Sequence, residues 1–182
     1  MIAFGAARRR FFPRRLGSAA GVLLLAGAIA LAVGFPEPGL AEDLIAKYGD
    51  WDLRCETPPG ATKQQCALVQ RVAAEDVPGL NLIVMVLKLN EGKDRLMRII
   101  APLGVLLPTG VGLRIDDGDV GRMNFMHCQP NGCIAEVFLD DKLLGKLEAG
   151  TTASLVIYQT MEEGIGVPMA LSGFKDSFEA LP

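Results

Sequence analysis

The chain contains one histidine, His127. That excludes multi-histidine metal centres and leaves one candidate for imidazole acid–base work. None of its four cysteines forms a C-x-x-C pair, so neither a zinc knuckle nor a dithiol redox motif is spelled out. There is no glycine-rich phosphate loop, no internal repeat and no low-complexity tract. Basic charge is scarce beyond residue 41. From Glu42 to Pro182 there are 13 Lys and Arg against 20 Asp and Glu, a net of −7, and no basic cluster. Such a surface repels phosphate backbones, and nucleic acid is not an expected partner.

The basic residues are concentrated at the start. Arg8, Arg9, Arg10, Arg14 and Arg15 precede an uncharged run from Leu16 to Pro36, whose centre reads AAGVLLLAGAIALAVGF. Gly39 and Ala41 offer small side chains at the −3 and −1 positions of a cleavage site. This is the layout of a secretory signal, so residues 1–41 are set apart, with cleavage expected between Ala41 and Glu42. The rival reading is an uncleaved anchor, because the apolar run approaches the roughly 20 residues that span a bilayer. Membrane contact is expected only through this segment, if it is retained. RRRFF loosely resembles a twin-arginine signal but lacks the polar residue that precedes one. Residues 42–182 have the size of a single domain.

All four cysteines lie in that domain: Cys55, Cys66, Cys128 and Cys133. An even count after an export signal indicates disulfides. Three pairings exist on paper, and local geometry favours one. Gln129-Pro130-Asn131-Gly132 reads as a turn between strand-like NFMHC and CIAEVFL, which places Cys128 opposite Cys133. Asn-Gly is expected to supply its positive φ. Cys55 and Cys66 likewise flank the turn-rich ETPPGATKQQ, which contains Pro58 and Pro59. His127, next to Cys128, is expected on the other face of its strand and partly exposed, with no metal role.

The rest of the domain reads as short strands. Tyr48–Glu56 alternates, with Trp51, Leu53 and Cys55 on one face, and Gln65–Ala73 is its expected partner. Leu80–Leu89 is apolar on both faces and reads as a central strand covered on both sides. Arg95–Ala101 returns antiparallel, and Val111–Ile115 and Thr151–Thr160 add further strands. IGVPMALS is a last candidate, expected to break at Pro168. Two helices are expected. Asp140 or Asp141 caps DKLLGKLEAG, and Ser172 caps GFKDSFEAL. The pattern predicts a mainly all-β fold, an antiparallel β-sandwich with two short helices, behind an N-terminal signal segment.

Three motifs invite chemistry and fall short. Asp116-Asp117-Gly118-Asp119 lacks the alternating acids and distal glutamate of a calcium loop and reads as a hairpin turn. Ser172-Gly173-Phe174-Lys175 matches S-x-x-K, but neither S-D-N nor K-T-G follows it. A Ser-His-Asp triad would have to recruit His127 from beside a clasped hairpin, with no nucleophile elbow to serve. No catalytic, cofactor-binding or metal-binding residue is expected.

Several stretches taken in order resemble the invasion-associated locus B proteins of bacteria: YGDWDLRC, QCALVQ, APLGVLLPTGVGLRID, the C-x-x-x-GC hairpin tip, and QTMEEGIGVPMALSGFKDSFEAL. The resemblance covers nearly all of residues 42–182. It implies an exported, disulfide-containing β-sandwich in the periplasm or outer envelope, with founding members linked to entry into host cells. It supplies no catalytic residue and no cofactor. The expected activity is binding of an envelope or host protein, lipid or glycan, with contacts at the Glu56–Gln65 loop and at the Gln129–Gly132 turn. The alternative is a periplasmic carrier or chaperone that holds an apolar ligand in a groove between the sheets, suggested by LIVMVL and APLGVLLP.

Overall fold

The computed structural model describes residues 43–182, and the expected cleavage at Ala41–Glu42 lies outside the described residues. The chain forms β1 (Asp43–Tyr48), β2 (Trp51–Glu56), β3 (Gln65–Ala73), β4 (Asn81–Leu89) and β5 (Asp94–Ala101). After a 3-10 turn at Leu107–Thr109 come β6 (Val111–Ile115), β7 (Gly118–Met123), β8 (Phe125–Gln129) and β9 (Gly132–Phe138). Helix α1 (Asp141–Ala149), β10 (Thr152–Tyr158), β11 (Gly164–Ala170) and helix α2 (Phe174–Ala180) complete it. One sheet has seven strands in the order β1-β2-β3-β4-β5-β9-β8, the other four in the order β11-β10-β6-β7. Neighbouring strands in both sheets pair antiparallel. The β-sandwich with two short helices is thus the observed fold.

Alternation decides which face meets the core. Trp51 and Leu53 of β2, Leu68 and Val72 of β3, Leu82, Val84 and Val86 of β4, and Met97 and Ile99 of β5 share the inner face. Opposite them stand Val111 and Leu113 of β6, Leu155 and Ile157 of β10, and Val167 and Met169 of β11. The helices add Leu144, Leu147, Phe174 and Phe178 to the same cluster. Asp140 is the N-cap of α1, its carboxylate accepting from the Leu143 N–H at 2.7 Å.

Four expectations need correction. β4 is the middle strand of its sheet, but among the described residues no second layer covers its outer face. Ile83, Met85 and Leu89 stay half-buried there, packed against Ala67, Val69 and Leu87 of a small separate cluster. Pro168 does not interrupt β11. The strand runs through it because β11 has a neighbour on one side only, where a missing N–H costs no ladder bond. Ser172 does not cap α2. Gly173 takes that position in a left-handed conformation (φ 79°), with no side-chain cap. Tyr48 does not continue into β2. It ends a separate strand, β1, and Gly49 turns the chain at φ 57°.

Candidate functional site

Both disulfides form as paired from the sequence: Cys55 with Cys66, and Cys128 with Cys133. Each joins directly opposed residues of neighbouring strands, β2 with β3 and β8 with β9. Each lies next to the loop it closes. The first loop runs from residue 57 to 64, with Pro58 half-buried and Pro59 exposed. The second is tighter. Gln129 pairs with Gly132, so only Pro130 and Asn131 lie outside the ladder, and Gln129, Pro130 and Asn131 are exposed. Asn131 does not supply the positive φ. Gly132 does, at 145°. A Cβ on Gly132 would stand 2.5 Å from the Ala101 carbonyl oxygen, so β5 also requires glycine here.

The topology keeps the two loops apart. The β2–β3 loop lies at the end of the sheet where β3 begins and β4 finishes, since Leu68 pairs with Val86. The β8–β9 turn lies at the opposite end, since Cys133 pairs with Ala101 at the close of β5. Four strand spacings separate β3 from β8, roughly 19 Å across the sheet. Pro58 and Pro59 therefore share no surface with Gln129, Pro130, Asn131 and Gly132. Each loop is an exposed surface of its own.

The residues with reactive side chains are also dispersed. His127 is exposed on β8, an edge strand, and its Nε2 lies 3.1 Å from the Nε2 of Gln129. Ser172 belongs to the other edge. Its carbonyl accepts from the Asp50 N–H in the β1–β2 turn at 3.4 Å. Five strand spacings separate β2 from β8, on the order of 24 Å, so Ser172 and His127 cannot act as a pair. Asp116 and Asp117 form the two-residue turn between β6 and β7, both with positive φ (45° and 65°). The Asp116 carboxylate is occupied by backbone donors, the N–H groups of Thr151 and Thr152 at 3.0 and 3.1 Å. It thereby ties the β6–β7 turn to the start of β10.

The apolar stretches behind the ligand-groove reading divide between core and surface. Leu82, Val84 and Val86 of LIVMVL are fully buried between the sheets. In APLGVLLP, Val105 is buried, whereas Leu103 and Leu107 face outward. Among the described residues, Asp52 is the one titrating group that departs clearly from its ordinary behaviour. The Arg54 guanidinium, 3.0 Å away, holds its carboxyl below the usual carboxylate range, aided by Lys47 and opposed by partial burial. This is a surface ion-pair cluster at the β1–β2 edge.

Comparison with known proteins agrees with the architecture. Over 162 residues the chain is 26% identical to the Invasion protein B homolog of Brucella abortus strain 2308, covering 88% of this chain and 91% of the relative. The homolog of B. abortus biovar 1 strain 9-941 matches to the same extent. The crystal structure of invasion associated protein B from Bartonella henselae superposes with a TM-score of 0.63 at 22% identity, over 76% of this chain and 94% of that one. At that identity the likeness speaks for the fold. Residues 51–182 match the model of the Invasion associated locus B (IalB) protein family. Set beside the two sheets, the paired disulfides and the ordered motifs, that match means that the chain belongs to the invasion associated locus B family.

Proposed function

We propose that this chain is an exported, non-enzymatic envelope protein that acts by binding a partner through its disulfide-clasped loops, at sites of contact with host cells. One observation carries the reading. Both covalent cross-links are placed directly beside exposed loops, joining neighbouring strands of one sheet rather than tying the two sheets together. A loop held in one shape loses less conformational entropy on docking, so pre-ordering favours recognition. Disulfides also persist in oxidising compartments, which supports export. The curated relatives are called Invasion protein B homologs, which supports a role in invasion. The partner is an envelope or host protein, lipid or glycan.

Photo-crosslinking in intact cells tests this. A benzophenone side chain is placed at Pro59 or Asn131, with Lys175 on α2 as the control position. A discrete adduct from at least one loop, absent from the control, is the expected result, and its mass assigns the partner to protein, lipid or glycan. No adduct from either loop, with and without host cells, would overturn the reading.

A further inference from the structure

A second surface lies where two incomplete strand edges converge. β3 outruns β2: their register ends at Asp52 with Val69, yet β3 continues to Ala73. The Ala74 N–H points toward β4, donating to Leu80 O at 2.9 Å. Backbone polar groups alternate sides along a strand, so those of Arg71 and Ala73 point away from β4, on a side where no strand is paired with them and β11 is the nearest neighbour. β11 offers the counterpart. On its neighbour β10, the carbonyls of Thr152 and Tyr158 accept from Asp116 and Leu106, on the β6 side. Their partners Ala170 and Gly164, and by alternation Pro168 and Gly166, therefore face the free edge. The Ala170 carbonyl is occupied by Trp51 Nε1 at 3.1 Å and Gln70 Nε2 at 3.0 Å. Beyond it the edge presents Pro168, Gly166 and Gly164.

Open space runs along this edge. A cleft of about 590 Å³ is lined by Gln70, Arg71 and Ala73 on one side and Pro168 to Ala170 on the other. A second, of about 380 Å³, continues along β11 past Gly164 and Gly166 to Asp76 and Glu163. Gln70 is 5% exposed, and its Oε1 has no hydrogen-bond partner, so the wall of the larger cleft holds a buried acceptor. Asp76 and Glu163 are exposed acids at the far end, in no ion pair among the described residues.

We propose that this cleft receives an extended peptide segment of another protein, which adds as a strand to the free edge of β11. The fit is chemical. Gly164 and Gly166 offer backbone N–H and C=O groups without side chains to block approach, Pro168 offers a carbonyl, and a peptide in extended form supplies the complementary ladder. Such exposed ladders are normally paired or blunted. The acids at the far end select a segment carrying Lys or Arg there. This inference rests on the reading that the protein acts by binding, but it uses a surface separate from the clasped loops.

The test uses protein purified after expression of the full 182-residue chain, labelled with nitrogen-15. The probe is acetyl-Val-Lys-Val-Lys-Val-Lys-Val-amide, together with two analogues N-methylated at alternate residues in either register. The expected result is amide-shift changes at Gly164, Gly166 and Ala73, with binding at least tenfold weaker for one or both N-methyl analogues. Gly166→Pro should also weaken binding tenfold. The double charge reversal Asp76→Lys with Glu163→Lys should weaken it too, in exposed positions where folding is not at stake. Both analogues binding as well as the parent peptide would overturn the proposal. So would shifts confined to β1, where Leu44 and Ile45 are exposed, or the same shifts arising from self-association without peptide. Loop crosslinks at Pro59 or Asn131 would be unaffected by these failures, so this proposal can fail without the preceding one.

Discussion

The ring of Phe174 meets that of Trp51 edge to face, with centroids 5.2 Å apart and planes inclined at 64°. Both side chains are fully buried. Through this contact α2 is seated on β2 at the start of the large sheet, where Phe178 stacks behind Phe174 at 6.0 Å. Phe174→Ala removes the middle of that stack. A loss of about 3–5 kcal/mol in unfolding free energy is expected from chemical denaturation, since a buried ring leaves a cavity that the sheet cannot collapse into. A loss below about 1 kcal/mol would mean that α2 is not integral to the core.

Gly132 combines a left-handed φ with a close approach to Ala101. Gly132→Ala should therefore destabilise the domain by about 1–3 kcal/mol. Gly60→Ala is the informative comparison. Its φ is also positive, 81°, but a Cβ there meets nothing within 4 Å. It should cost less than Gly132→Ala. Equal thermal shifts for the two would show that backbone conformation alone accounts for the effect.

Removing each clasp should lower stability by roughly 2–3 kcal/mol in the chain-entropy account. The longer Cys55–Cys66 loop, with a separation of 11 residues against 5, should cost the more of the two. Paired Cys→Ser variants measured in urea give the comparison. The reverse order would mean that the β8–β9 clasp supports native structure beyond its own loop.

Asp52 sets an acid dependence. Its folded carboxyl is held below the ordinary value by Arg54, so the group stabilises the fold above the unfolded pKa and loses that contribution as pH falls through the folded one. Wild type should exceed Asp52→Asn in stability at neutral pH, and the gap should close below about pH 4. Salt should narrow it as well, because Lys47 is largely exposed. A gap that is constant across the acid range would assign the loss to packing.

Much of the fold was legible in the residues. β3 and β6 fall where alternation places them, at Gln65–Ala73 and Val111–Ile115, and both cysteine pairings follow from turns that bring opposed strand positions together. The misreadings share a cause, which is that a strand's neighbours are not written in its own sequence. Pro168 reads as a break until β11 is known to be an edge, and LIVMVL reads as doubly covered because its outer side chains shield one another. β7 gives little sign of itself, because GDVGRM, Gly118–Met123, carries two glycines and little alternation. Ser172 reads as a cap because Gly173 gives no sign that it turns left-handed. The β11 cleft was not legible at all. It exists because β3 outlasts β2, a relation between strand lengths.

The two cross-links also have a meaning in time. Together they account for roughly 5 kcal/mol of stability in the chain-entropy account, against a typical total of about 5–15 kcal/mol. A freshly made chain in a reducing environment lacks that share and spends more of its life loosely folded. Oxidation then removes loop freedom from the unfolded ensemble, so both hairpins spend less time open. Closure of the two bridges therefore divides a more pliable polypeptide from a more durable one.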